Sequence, residues 1–289
     1  MNAKEDLEFA KEHRIAPGKR PNLKKLDTKV RGPFDDKDDA KAFTAETNHK
    51  IRDLQYRMFV EEKQSLLVVL QAPDAAGKDG LIRKVLGQMN PQGCRTYPFK
   101  VPTKEERAHD FLWRIHRCTP AAGKVSVFNR SHYEDVLVVR VNDLVPKRVW
   151  KDRYKIINDF EHMLAEAGTR ILKFYLHISP EEQLERFKKR LDNPDKHWKL
   201  NTGDYAARDQ WDQYREAYED AIEQCNTDHA PWHVIPADHK WYRDASVAAI
   251  VYDTFLSMDP QLPPVDVDLD EIRSLYQREA AELGKASSS

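Results

Sequence analysis

The chain has 289 residues, 40% apolar and 33% charged, with 47 Lys and Arg against 48 Asp and Glu. That length allows one large or two medium domains with a substantial core, and a net charge of −1 excludes a protein that coats DNA or RNA by bulk attraction. The longest apolar run, Leu66–Leu70, is far short of the ~20 residues that span a bilayer. No apolar signal segment is visible at the N-terminus. Cys94, Cys118 and Cys225 are too scattered for a disulfide framework or a Cys-rich zinc site. A soluble, cytoplasmic protein without membrane contact is expected.

Residues 1–40 are charged and broken by Pro17, Pro21 and Pro33, which predicts an N-terminal extension wrapping the domain. A helical pattern runs from about Ala40 to Glu62. Short apolar stretches follow at 65–71, 95–100, 124–129, 170–179 and 232–237, several of them continuous, as in strands buried on both faces. Between them lie helical patterns at 78–89, 103–117, 147–167, 180–191, 204–225 and 243–256. Strands alternating with helices predict βαβ units and a parallel sheet of five strands in one α/β domain, residues 41–260. Such sheets hold ligands beyond the carboxyl ends of their strands. Residues 261–289 form a tail with a charged helical pattern at Leu269–Leu283.

The strongest local signal is LLVVLQ-APDAAGKDG-LIRKVL, Leu66–Leu86. A buried strand, a small-residue loop and a helix make the setting in which backbone amides surround phosphate and a lysine neutralises it. The candidate phosphate contacts are Ala75, Ala76, Gly77, Lys78, Asp79 and Gly80. Against GxxxxGK[ST], Ala72 replaces the first Gly and Asp79 the hydroxyl residue. Two acids beside bound phosphate repel it unless a cation intervenes, which suits Mg²⁺. Asp79 also fits as a helix N-terminal acid favoured by the macrodipole; Asp74 fits as metal ligand or proton acceptor.

The run VSVFNRSHYEDVLVVRV, Val125–Val141, starts as a central strand and turns polar at Asn129. Arg130 at the strand end is placed to stabilise a phosphoryl group in transit, or to pair with Glu134 or Asp135. Glu134 and Asp135 are candidate metal ligands, or helix N-terminal acids. His132 is a candidate nucleotide contact with a structural role as the alternative. Residues 186–215 gather Lys188, Lys189, Arg190, Lys196 and Lys199 around a Pro-containing bend, the pattern of a cationic lid that closes over phosphates. Arg190 is expected to point inward, with Lys196 and Lys199 as further phosphate contacts and Lys188 and Lys189 as a solvated face. Arg95, Lys100, Lys104, Arg107, Arg114 and Arg117 could form part of a track for a polyanion, or a solvated face.

Four segments together resemble the polyphosphate kinase 2 family, class III: DAAGKDG at 74–80, FNRSHYEDVLVVRV at 128–141, RFKKRLDNP at 186–194, and KHWKLNxxDYxxRDxWDxY ending at Tyr214. The resemblance covers residues 40–260. It implies a P-loop kinase-like three-layer fold with a helical lid, Mg²⁺ dependence with Mn²⁺ as a substitute, and a homodimer or homotetramer. It also implies reversible transfer of the terminal phosphate of inorganic polyphosphate to AMP and ADP, giving ADP and ATP. By position the family's loop Asp and Lys fall on Asp74 and Lys78, its strand-end Arg on Arg130 and its lid Arg on Arg190. Many relatives carry Asp at the strand end; Asn129 and Glu134 here follow the class III pattern. The expected catalytic set is Asp74, Lys78, Arg130, Glu134, Asp135 and Arg190, with Asp74, Glu134 and Asp135 holding metal and Asn129 near phosphate. The competing readings are an ATP-dependent nucleotide kinase and a non-catalytic polyanion- or nucleotide-binding module.

Overall fold

A computed structural model describes residues 8, 9 and 11–286. The strands are β1 (Ser65–Gln71), β2 (Cys94–Pro98), β3 (Val125–Asn129), β4 (Thr169–His177) and β5 (Trp232–Pro236). They form one sheet in the order β2-β3-β1-β4-β5, every pair parallel. The helices are α1 (Lys37–Glu61), α2 (Lys78–Lys84), α3 (Lys104–Ala108), α4 (Trp113–His116), α5 (Val138–Val141) and α6 (Lys147–Glu166). They continue with α7 (Pro180–Leu191), α8 (Thr202–Asp209), α9 (Trp211–Gln224), α10 (Lys240–Met258) and α11 (Leu269–Ala286).

Every residue of the central strand β1 is buried, so its sequence is a continuous apolar run rather than an alternation. Successive side chains still leave on opposite faces. Leu66, Val68 and Leu70 pack with Ile51 and Met58 of α1 and with Val247, Val251 and Phe255 of α10. Leu67 and Val69 pack with Ile157, Phe160 and Leu164 of α6 and with Tyr218 and Ile222 of α9. The result is three layers, helix–sheet–helix. Leu70 lies level with Asn129 and Phe174, and Gln71 with Tyr175, so the carboxyl ends of β1, β3 and β4 open on one shelf.

The α/β class, the parallel sheet and all five strands agree with the sequence expectation to within two residues at each end. The helical patterns needed more correction. The 103–117 pattern is two short helices, because Asp110 accepts from the Leu112 amide and its carbonyl from the Trp113 amide, the local bonding by which Asp makes turns. The 204–225 pattern breaks at Gln210 and begins earlier, at Thr202, where the Asn201 side chain caps α8. The 78–89 pattern ends as α-helix at Lys84 and tightens into a 3-10 turn at Leu86–Gln88. Residues 13–15 of the N-terminal extension lie beside β5, with Val234 donating to His13 and Ile15 to Trp232. The tail helix α11 is exposed over 269–283. No helix among the described residues is long and apolar enough to cross a membrane.

One buried ion pair stands inside this core. Lys173 of β4 and Glu161 of α6 are fully buried and bonded to each other. The ammonium also donates to Tyr133 Oη at 2.8 Å and the Cys225 carbonyl at 2.6 Å, so its three donors are used. Glu161 accepts further bonds from Tyr133 Oη at 2.9 Å and His132 Nε2 at 3.2 Å. Burial pushes the Glu161 carboxyl up, but Lys173 and His132 outweigh it and hold it below its ordinary 4.5. A depressed carboxyl stabilises fully above its unfolded pKa and loses that contribution as pH falls through the folded value. Glu161→Gln is therefore expected to cost about 3–5 kcal/mol at pH 7 in urea unfolding, and to flatten the loss of stability below pH 4.5. An unchanged urea midpoint would show that the pair contributes nothing.

Candidate active site

The loop between β1 and α2 has the shape of an anion cradle. Ala75 and Gly77 have φ of +61° and +100°, two left-handed turns within three residues. A non-glycine in that region costs about 1–2 kcal/mol, held here by the surroundings. At Gly77 a Cβ would also lie 2.2 Å from Arg243 Nη1, so a side chain there would push that guanidinium off the loop carbonyls it holds. The loop carbonyls are bonded from outside. Arg186 Nη1 donates to Ala75 and Ala76 at 3.0 and 2.8 Å. Arg243 Nη1 donates to Ala76 and Gly77 at 3.1 and 3.2 Å, and Gln183 Nε2 donates to Asp74 at 3.0 Å. Each planar trans peptide points its amide away from the group that holds its carbonyl; the Ala76 amide bonds the Pro73 carbonyl, and the amides of Ala75, Gly77 and Lys78 are the ones left for an anion. Lys78 Nζ rests on the Ala72 carbonyl at 2.9 Å. Burial pulls its pKa below the usual value, with Asp74 opposing.

The end of β3 closes the site from the other side. Arg130, at φ +62°, donates to Asp74 Oδ1 at 2.8 Å, and Asn129 Nδ2 to Asp79 Oδ1 at 3.0 Å. Burial works against the Arg130 charge, but Glu134 and Asp74 outweigh it and raise its pKa. Burial also pushes the Glu134 carboxyl up, against Arg130 and Lys78.

Two expectations fail here. His132 is fully buried against Glu161 and lines neither of the site's two cavities, and Asp135 Oδ1 is held by Arg153 at 3.1 Å. The cause is local geometry. Residues 132–135 form a 3-10 turn in which i and i+3 eclipse, so His132 and Asp135 both face α6, which carries Glu161 and Arg153. Glu134 turns the other way and alone reaches the site. The expected metal set Asp74, Glu134 and Asp135 therefore does not assemble.

The lid places Arg190 on Asp204 Oδ2 at 3.3 Å and Lys199 on Asp79 Oδ2 at 3.4 Å, with Lys196 beside them. Lys188 is exposed and bonded to Asp192. Of the suggested polyanion track only Lys100 reaches the cleft. Arg114 bonds the Lys100 carbonyl, Arg107 the Pro102 carbonyl, and Arg117 lies over the Trp113 ring.

These elements frame two cavities. One, of about 900 Å³, is lined by twelve Lys and Arg residues against three Asp, with the loop residues 74–80 along its floor apart from Ala76. Such an excess, in a chain of net charge −1, concentrates positive potential in this one cleft. The other, of about 500 Å³, is lined by Tyr175, Trp211, Tyr214 and Tyr218 with Val138, Asn142, Gln210 and Glu134. The two share Asp74, Val101 and Arg130.

Among the described residues no three or more His, Cys, Asp or Glu side chains converge as a metal cage. Asp74 and Asp79 nevertheless line the cationic cavity beside the phosphate loop. One or two carboxylates completed by substrate phosphate is the donor set of Mg²⁺, so the residues fit such an ion. Sequence reasoning missed Arg186 and Arg243, whose signal was a charge inside a buried helix face: Arg186 between buried Gln183 and Phe187, and Arg243-Asp244 at the start of the long buried run Tyr242–Val251 of α10. It also missed Lys240 and Asp204.

A phosphate loop at the carboxyl edge of a parallel sheet, roofed by a cationic lid, defines a phosphotransferase of the kinase type. The polyphosphate kinase 2 (PPK2) family profile matches residues 34–263, and the chain belongs to that family. It is 47% identical over 263 residues to the AMP/ADP-polyphosphate phosphotransferase of Meiothermus ruber, covering 91% of this chain and 98% of that one. It is 38% identical to the ADP-polyphosphate phosphotransferase of Rhodopseudomonas palustris, covering 88% and 92%. The crystal structure of polyphosphate kinase 2 from Arthrobacter aurescens TC1 superposes with a TM-score of 0.90 at 42% identity, covering 93% and 96%.

The raised Glu134 carboxyl has a consequence for stability. Its ionisation disfavours the fold, fully above the raised pKa and not at all below the ordinary 4.5. Glu134→Gln is expected to raise the melting temperature at pH 7, to give no gain below pH 4.5, and to slow turnover. A variant no more stable than the parent at pH 7 would contradict the burial cost.

Proposed function

We propose that the chain transfers the terminal phosphate of inorganic polyphosphate to AMP and ADP, reversibly and with Mg²⁺, in the cytoplasm and as a homodimer or homotetramer. One observation carries the reading: a cationic cavity and an aromatic cavity meet at Asp74 and Arg130. The first suits a chain of phosphates. The second has the size and aromatic lining for a nucleotide. The names of the relatives point to the same pair of substrates.

The obstacle is repulsion. Two unit charges ~4 Å apart at a protein surface repel by about 4 kcal/mol, and here two phosphate ends must come closer than that for in-line attack. The residues assigned to this problem are cations at the junction. Loop amides and Lys78 hold the donor end, Arg130 stands between the cavities, and Arg190 approaches from the lid. Phosphoryl transfer asks little covalent chemistry of the protein; positioning and charge neutralisation dominate. Asp74 and Asp79 would hold Mg²⁺ against the phosphates, where it would neutralise developing charge. Lys199, on Asp79, and Arg190, on Asp204, are released to the phosphates when the lid closes and excludes water.

Supplied with AMP, Mg²⁺ and polyphosphate but no ATP, the protein is expected to make ADP and then ATP. ADP formation only when ATP is added would identify an ATP-dependent kinase instead, and binding without turnover a non-catalytic module. Lys78→Ala and Arg130→Ala are expected to lower turnover about 10²–10³-fold with unchanged circular dichroism; near-normal rates in either would remove the assigned role. Polyphosphate affinity is expected to fall steeply with salt, and a salt-insensitive affinity would contradict a cationic cleft.

A further inference from the structure

Residues His13–Thr28 touch neither cavity, yet they are fastened to α9, which lines the aromatic cavity, and through His13 Nε2 and Tyr242 Oη at 2.9 Å to α10, whose first turn lines the cationic one. His13 and Ile15 bond along β5. Farther on, the Leu23 amide donates to Glu219 of α9 at 2.8 Å and Arg20 Nη2 to the same carboxylate at 3.2 Å. The strap then ends on Asp238, just beyond β5. Thr28 Oγ1 donates to Asp238 Oδ2 at 2.8 Å, and the Asp238 amide returns a bond to the Thr28 carbonyl at 3.1 Å.

Asp238 is buried, and its carboxylate has a second set of partners. Ser179 donates to it twice, from its amide at 2.9 Å and its hydroxyl at 2.8 Å. Ser179 is the N-cap of α7, accepting from Glu182. Asp238 thus fixes the N-cap of the helix that carries Gln183, Arg186 and Arg190. Arg186 is tied back to the same place, its Nη2 donating to the Asp238 carbonyl at 3.0 Å while its Nη1 holds the loop carbonyls. A single residue joins the strap and the start of the lid helix through its carboxylate, and the outer grip on the phosphate loop through its backbone carbonyl.

We infer that Thr28 and Asp238 are positioning residues for phosphoryl transfer. The strap, acting through the Asp238 carboxylate, sets the start of α7, and thereby where Arg186 holds the loop and where Arg190 reaches the cleft. Thr28 contacts no substrate cavity, so its effect is on alignment. Misplacement of reacting groups by even ~1 Å costs rate out of proportion to stability. The inference rests on the proposed activity only for its rate measurement.

The test uses the full chain with Thr28→Val, Thr28→Ser and, as control, Ser65→Ala. Ser65 Oγ shares a buried bond of 2.9 Å with Thr169 Oγ1 at the far end of β1, so the control removes a comparable bond away from the cleft. Hydrogen exchange over residues 72–80 and 179–190 is expected to quicken roughly threefold in Thr28→Val. In that variant kcat should fall about tenfold with KM for AMP within about twofold. Thr28→Ser should restore both, and Ser65→Ala should change neither despite a similar fall in melting temperature. Parental exchange in the loop of Thr28→Val, failure of Thr28→Ser to rescue, or the same changes in Ser65→Ala would each overturn the inference. If the parent protein turns over no AMP, the proposed activity is what fails, and exchange alone decides the strap.

Discussion

A loop of small residues can offer its amides to phosphate only if its carbonyls are satisfied on the opposite side. Buried backbone groups do not go unpaired without cost, and a trans peptide points its two polar groups in opposite directions. Arg186 and Arg243 meet that condition here by donating to the carbonyls of Ala75, Ala76 and Gly77. The two guanidiniums come from α7 and α10, one leading into the lid and one following the last strand. The anion cradle is therefore a tertiary structure made of two distant helices as much as of the loop itself.

The same arrangement solves a charge problem. A chain with almost balanced charge has no general attraction for polyanions, so its cations must be concentrated. They are gathered around the loop by α2, α7, the lid bend and the start of α10, and two of the three acids in the cleft are paired: Asp74 with Arg130, Asp79 with Asn129 and Lys199. Those pairs hold Arg130 and Lys199 beside the loop, while most of the cations in the cleft stay unmatched by acids. Burial of Lys78 and Glu134, which moves both pKa values toward neutrality of the side chain, is the cost of building the junction in a dry place where charges act strongly.

Much of this was legible from the residues. Parallel strands covered on both faces must be continuous apolar runs, so Leu66–Leu70 and its partners stood out, and a strand–small loop–Gly-Lys–helix sequence has few other uses. What could not be read was anything that depends on which way a side chain leaves a short turn. His132, Glu134 and Asp135 are near neighbours of similar polarity, and only the eclipsed geometry of a 3-10 turn sends two of them into the core and one to the site. Arg186 and Arg243 lay more than a hundred and more than a hundred and sixty residues from the carbonyls they hold. Their trace was a charge embedded in a buried helix face, visible but silent about its partner. The segment 103–117 misled for the opposite reason: its basic residues are spaced like a binding face, but Arg107 and Arg114 bond nearby backbone carbonyls and Arg117 lies over the Trp113 ring.

The account stands on two anionic substrates meeting end to end at Asp74 and Arg130 from separate cavities. A crystal structure with AMP and a short polyphosphate, using Lys78→Ala to slow turnover, tests it most directly. The account predicts the base among Tyr175, Trp211, Tyr214 and Tyr218, the polymer along the cationic cleft, and the two phosphate ends within about 3–3.5 Å of attack distance beside Arg130. Nucleotide in the cationic cleft, or both ligands sharing one cavity, would contradict it.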